Sequence, residues 1–263
     1  AIEFHGYDGG STESTIDASV FEGNGTKNTT GGGGAFRSEG GTFAISNCSF
    51  SDNGGSDGGA VRFDGGSGTV TDTDFEGNTG SNGGAMFSLK AHTSFSGCVF
   101  IDNTALQENS GQNRDGGALC FNSGSESNIH SCFFQGNMSD VGGAVIGNGA
   151  NVAVGACIFL ENISTTEYPL GGGGALKCIG VGTWSVDSSI FVNNNTPNNG
   201  GIGTSICAWN IDVPVQGSSF CGGDGEWWSS PLGDANIIDV GENSFSSSCP
   251  ETDCNQDGIA DFL

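Results

Sequence analysis

The apolar positions of this chain fall into columns once it is cut at its glycine pairs. Two glycines, a small residue and an apolar residue open a unit. A near-constant interval leads to a Phe, and an Asn stands three positions after it. Gly58-Gly59-Ala60-Val61, running to Phe75 and Asn78, is the shortest form. The unit opens again at Gly33, Gly83, Gly116, Gly142 and Gly173, and in degenerate form at Gly203-Thr204-Ser205-Ile206. From first Gly to Phe the counts are 17, 17, 17, 18, 17, 18 and 17, whereas 8, 4, 4, 12, 4, 10 and 8 residues separate the Asn from the next Gly. A constant body joined by one variable segment predicts a stacked repeat whose insertions gather at a single corner.

Alignment on the Phe (Phe21, Phe50, Phe75, Phe100, Phe134, Phe159, Phe191, Phe220 and Phe245) exposes the candidate core. Five residues earlier stand Ile45, Val70, Phe95, Ile129, Val154, Val186 and Val215; two earlier stand Cys48, Thr73, Cys98, Cys132, Cys157, Ser189 and Ser218. Residues two apart on a strand share a face, so the Phe and small-residue columns point the same way. The step from five to two breaks that alternation and predicts a bend between two short strands. The apolar residue after Gly-Gly-small supplies a third strand. Three short strands per turn, with no helical periodicity, predict an all-β parallel β-helix, a solenoid of about nine turns of roughly 25 residues. At roughly 4.8 Å per turn this is a rod on the order of 40 Å long. Residues 1–20 read as an N-terminal cap or imperfect first turn, 21–220 as the repeats, 221–250 as a closing section and 251–263 as a tail.

The alternation of Gly-Gly-Ala-apolar with Phe-x-x-Asn over about residues 21–220 resembles the repeats of chlamydial-type polymorphic outer-membrane proteins and other secreted bacterial β-helix proteins. The resemblance implies a right-handed helix in an extracellular or cell-surface setting. It brings no catalytic residues, because adhesins, fibres and enzymes share this scaffold. The closing section, with Trp227-Trp228 and Asn236-Ile237-Ile238, resembles the end of secreted β-helix proteins from planctomycete-like environmental bacteria. Its two Trp have three readings: a cover for the last turn, a platform for sugar rings, or a contact with a neighbouring molecule.

The tail resembles a dockerin or EF-hand-type calcium loop. Asp253, Asn255 and Asp257 stand at positions 1, 3 and 5, Gly258 at 6, the carbonyl of Ile259 at 7 and Asp261 at 9. The acidic residue of position 12 would follow Leu263, so the match is incomplete. Calcium is therefore the one cofactor expected, against the alternative of a solvated acidic tail.

Charge narrows the partners. Thirty acidic and six basic residues give a net charge of −24, which argues against nucleic acid or anionic membrane. No run of 18 apolar residues exists to insert into a bilayer. A start at Ala1, without Met, suits a processed secreted protein. Ten cysteines point to an oxidising compartment. Cys178 and Cys207 both lie 13 residues before their Phe and are expected to bridge adjacent turns. Cys98, Cys132 and Cys157 share a column on three successive turns, so Cys132 must choose one neighbour. Cys249 is expected to pair with Cys221 or Cys254; the alternative for the Cys48 column is a small apolar role.

The Asn of Phe-x-x-Asn predicts an amide ladder from turn to turn. Some of these residues also head sequons, which makes Asn24, and Asn28 in its loop, candidate glycosylation sites. Glycosidic cleavage needs paired carboxylates, and lyases usually need a basic residue, but neither constellation accompanies the scattered Asp, His, Lys and Arg. The reading is non-catalytic: an extracellular structural subunit that stacks head to tail on its own copies, with a glycan-binding or cell-surface adhesin as the alternative. Ile2 and Phe4 at one end, and Trp227, Trp228, Ile237 and Ile238 at the other, are the candidate joint.

Overall fold

The computed structural model describes residues 2–5, 13–25, 32–105, 115–166, 172–197, 203–222, 227–229 and 236–247. Among them every element of regular structure is extended, and the chain winds as an all-β parallel solenoid of about eight turns. Each turn gives one strand to each of three sheets. In the turn opening at Gly116 these are Leu119–Asn122 in sheet one, Glu126–His130 in sheet two and Phe133–Gln135 in sheet three. All three sheets hold nine parallel strands in chain order. Nine stacked strands are joined by one fewer pairing, which is why a column of nine Phe closes about eight turns.

The N-terminal segment continues this pattern as an imperfect first turn: Ile2–His5, Glu13–Asp17 and Val20–Glu22 each open a sheet. At the other end Trp228–Ser229, Ile237–Gly241 and Ser244–Ser246 close the same sheets. A small fourth sheet, Thr104–Ala105, Met138–Ser139 and Ile163–Ser164, stacks the bases of the two longest variable segments on one edge. Segments 106–114 and 167–171 themselves lie outside the described residues.

Backbone sterics explain the repeat's punctuation. The bend expected before the Phe is a left-handed residue three positions upstream in every turn, from Ala18, Asn47 and Asp72 to Glu242, with φ between 46 and 65°. The two glycines serve different needs. The first has positive φ at Gly58, Gly83, Gly116, Gly142, Gly173 and Gly203. The second is a close approach: a Cβ on Gly59, Gly84 or Gly117 would overlap the carbonyl oxygen of Gly84, Gly117 or Gly143 on the following turn.

Inside, the Phe column is continuous. From Phe21 to Phe220 successive rings stack 4.7–5.0 Å apart and within 7° of parallel. Beside it runs the amide ladder. Each Asn donates its backbone N–H and its Nδ2 to the Oδ1 of the Asn on the next turn, and its Nδ2 also donates to the Phe carbonyl of the turn before. The contacts of Asn53, Asn78, Asn103, Asn137 and Asn162 all lie between 2.8 and 3.1 Å. Asn24 is the half-buried first rung, its Nδ2 shared between Asn53 Oδ1 and the Glu22 carbonyl. Its candidate sugar-bearing nitrogen is thus engaged in the ladder. Asn28 lies outside the described residues.

The staples expected of Cys178 with Cys207, and within the Cys98, Cys132 and Cys157 column, are not formed. The extra residue of the body opening at Gly173 lies between Leu176–Ile179 and Trp184–Asp187, upstream of the Phe. Counting back from the Phe therefore slips the register by one. Cys178 pairs with Ala208, and Cys207 with Lys177. Cys178 consequently points into the core and Cys207 away from it, and both are free thiols. Cys98, Cys132 and Cys157 do stack as expected but are also free. A hydrogen bond with Cys132 pushes the Cys98 thiol up, one with Cys157 pushes Cys132 up to about 12, and the same contact holds Cys157 down. Cys221 is not a free thiol, and Cys249 and Cys254 lie outside the described residues.

Candidate functional surfaces

The outer face of sheet two carries a groove of about 870 Å³ running along the solenoid axis. Outward positions on a strand alternate with inward ones, so the same two positions of successive turns line it. One row is Thr42, Ser67, His92, Glu126, Asn151 and Thr183; the other is Ala44, Thr69, Ser94, Asn128, Ala153 and Ser185. Eight of these twelve side chains carry a hydroxyl or an amide; Ala44, Ala153, His92 and Glu126 complete the rows. His92 Nδ1 and Glu126 Oε2 meet across adjacent turns at 2.9 Å, and both side chains are 58% exposed. Glu126 is the single carboxylate in its lining. Thr183 donates both its N–H and its hydroxyl to Asn151 Oδ1, at 2.8 and 3.1 Å. Phe43 and Trp184 are buried beneath the two ends of the groove, so they offer no exposed ring to stack on. The Trp184 Nε1 lies under Gly147 without a hydrogen-bond partner.

Sequence columns counted from the Phe had a signal for this face. The row containing His92 and Glu126 stands eight residues before the Phe throughout. Aligning apolar columns passes over it because outward positions are polar and vary in type. His130 lies on the same sheet face but one row further along, in register with Ser96 and Gly155.

The outer face of sheet one is largely covered. Near its N-terminal end Arg62 is held by Asp57 and Asp64, and Arg37 by Asp64 and Glu39. Burial tends to lower the Arg62 pKa, but the two carboxylates outweigh it and raise it. Further along, Phe87, Cys120, Val141 and Ile146 form a small buried cluster. Sheet three instead leaves Val99, Ile101, Phe133, Ile158, Leu160 and Ile190 half-buried on its outer face.

The two ends are the third candidate. At the N-terminal end Phe21 stacks on Phe50 and is only partly buried, as is Ile16. Ile2 is exposed; the Phe4 side chain lies outside the described residues. At the C-terminal end Phe245 stacks on Phe220 at 5.3 Å yet stays 40% exposed. The two Trp pack on their own chain: Trp228 lies edge-on to Phe220 and Phe245, and Trp227 donates its Nε1 to the Gly222 carbonyl at 2.9 Å. Ile237 packs against the core, whereas Ile238 faces outward. The Trp pair therefore belongs to the closing turn, and the end is presented by Phe245.

The calcium-loop-like residues Asp253, Asn255, Asp257, Ile259 and Asp261 lie outside the described residues. Among the described residues no group of three or more His, Cys, Asp or Glu is arranged to hold a metal ion, and no helix is long and apolar enough to cross a membrane.

These features define a repeat protein of the parallel β-solenoid class. No protein-family model matches the chain, and no curated protein or solved structure matches it either. The likeness of its repeat to those of secreted β-helix proteins therefore rests on the residues alone.

Proposed function

We propose that this protein is a non-catalytic, extracellular structural subunit that associates head to tail with its own copies. The observation that carries this reading is the open Phe stack, with Phe21 half-buried at one end and Phe245 40% exposed at the other. A second copy placed end to end would continue the ring stack, and the three sheets would gain a strand partner at each open edge. Such a contact is heterologous and non-closing, so its product is a filament. The charge of −24 opposes it. Salt, or calcium bound by the tail, favours assembly by screening or bridging carboxylates.

Mass photometry and negative-stain microscopy, with and without salt and calcium, test this reading. Wild-type protein forms rods longer than one molecule, and Phe245→Glu shortens them to monomers while keeping the solenoid's circular-dichroism spectrum. Wild-type monomers under every condition overturn it.

A second reading is favoured by the sheet-two groove: an adhesin that lays an extended, neutral glycan along the Ser/Thr/Asn rows. A single lining carboxylate suits binding rather than glycosidic cleavage, which calls on two. Glycan-array binding by the monomer, lost in Asn128→Leu, would favour it over the first.

A further inference from the structure

The one-residue register slip gives Cys207 a different neighbour from the one expected. Its pair across the sheet is Lys177, and both side chains are fully buried on the outer face of sheet one. Lys177 Nζ donates to Cys207 Sγ at 3.0 Å. Ser229, next along the same column, directs its hydroxyl at that sulfur from 3.8 Å. The other free thiols have different surroundings. Cys48, Cys98, Cys132 and Cys157 donate to backbone carbonyls inside the core. Cys120 lies among Phe87, Val141 and Ile146.

An amine nitrogen held against a sulfur, on two strands already hydrogen-bonded to each other, needs no backbone movement to become covalently joined. Such pre-orientation converts a slow encounter between two groups into an intramolecular step. A disulfide between Cys178 and Cys207 is ruled out by their opposite directions, but a bond from Cys207 to Lys177 spans the same two turns. We propose that Lys177 and Cys207 are an oxidative crosslinking site, joined by dioxygen as Nζ–O–Sγ to give a covalent staple between adjacent turns.

The step balances. Nitrogen and sulfur together carry three hydrogens, whether as ammonium and thiolate or as amine and thiol. Nitrogen and sulfur each give up two electrons, and each atom of dioxygen takes two. One oxygen becomes the bridge as the N–O and O–S bonds form and the O–O bond breaks. The other leaves as water with two of the hydrogens, and the third hydrogen stays on nitrogen. Excess thiol reductant supplies four electrons, two to nitrogen and two to sulfur, becoming disulfide; both bridge bonds break, the oxygen leaves as water and both side chains are restored. The staple closes a loop in the unfolded chain, so it raises the melting temperature of the oxidised protein.

Non-reducing peptide mapping of the full chain, purified in air, tests the site. The peptides containing Lys177 and Cys207 are expected as one species, whose mass is their sum plus one oxygen less two hydrogens. Excess dithiothreitol separates them and lowers the melting temperature by several degrees. Protein prepared without oxygen shows neither the species nor the shift. The wild-type mapping decides the matter without relying on a variant that folds. Lys177→Arg, which keeps the charge, is expected to lose the linked species. A free, alkylatable Cys207 in air-exposed protein overturns the proposal. So do peptides joined without the oxygen, or Cys207 found in a disulfide.

Discussion

Asn103 is the rung on which the amide ladder can be tested most directly. Its side chain is fully buried. Its Oδ1 accepts from the Asn78 backbone N–H at 3.1 Å and from Asn78 Nδ2 at 2.9 Å; its Nδ2 donates to Asn137 Oδ1 at 3.0 Å and to the Phe75 carbonyl at 2.8 Å. Asn103→Ala removes all four contacts and leaves the backbone donor of Asn78 without a partner in a dry interior. One Nδ2 hydrogen of Asn78 is stranded with it. Orphaned buried groups cost roughly 1–3 kcal/mol each, so two donors put the loss at about 2–6 kcal/mol. That is a large share of a domain's typical stability of about 5–15 kcal/mol. Asn24→Ala, at the half-buried end of the ladder, leaves groups that water can reach and is expected to cost about 1 kcal/mol or less. Urea unfolding followed by circular dichroism compares the two. Equal and small losses for both variants would refute the claim that the ladder is a buried, mutually dependent network.

Two further outcomes follow from the packing and the thiols. Gly84→Ala is expected to prevent folding, because its Cβ would overlap the Gly117 carbonyl, whereas Gly54→Ala meets open space and should fold; soluble expression and circular dichroism distinguish them. The stacked thiols predict alkaline sensitivity. Cys132 titrates at about 12 in the fold against 9.0 for the free thiol, so its contribution is complete below pH 9 and is lost as pH rises towards 12. Cys157 moves the opposite way, but Cys98, Cys120 and Cys178 are raised too, the last two mainly by burial. Melting temperature should fall from pH 9 to 11 in wild type and fall less in Cys132→Ser; identical profiles would contradict the assignment.

The sequence made the inward columns legible because burial restricts them to few residue types. Phe, the apolar residue five before it and the ladder Asn all point where the chain spacing places them, and the Gly-Gly pair marks a backbone contact that no other residue fits. What stayed hidden was where a longer body keeps its extra residue. Every strand alternates faces, so an uncertainty of one position exchanges inside for outside. Cys178 and Cys207 align only across that uncertainty, and Lys177 carries no signal because an amine facing outward reads as ordinary surface. The sheet-two groove is hidden in the sequence for a related reason: Thr42, His92 and Asn151 share a row without sharing a chemistry. At the ends, the sequence leaves three readings open for Trp227 and Trp228, and their contacts with Phe220 and Phe245 agree with the first, a cover for the last turn.

The corners show how a chain of such acidity keeps its turns stacked. Two residues after the Phe the backbone is left-handed, and the column there reads Gly23, Asp52, Gly77, Asp102, Gly136, Glu161, Asn193 and Gly222. Asp is one of the few side chains that accept this conformation, so the acids are structural corner residues as well as surface charge. Their alternation with Gly has a second cause. A Cβ on Gly77 would lie 2.7 Å from Asp52 Oδ1, and one on Gly136 would overlap Asp102 Oδ1. Asp52 and Asp102 each lean over the next turn, where a glycine leaves them room; Glu161 is followed instead by Asn193. The same spacing keeps like charges roughly 10 Å apart rather than about 5 Å, the separation of adjacent turns. Gly77→Asp tests both causes, because the backbone conformation suits Asp and only the neighbours object. Two repulsions of about 1 kcal/mol each, at solvent-exposed dielectric, add to the steric displacement of Asp52. Melting temperature should fall, and salt should recover the electrostatic part alone. Replacing Asp52 and Asp102 by Gly in the same chain moves the alternation by one turn and should recover most of the remainder. If Gly77→Asp melts with wild type in low salt, the alternation has no energetic basis and the corner acids are mere surface charge.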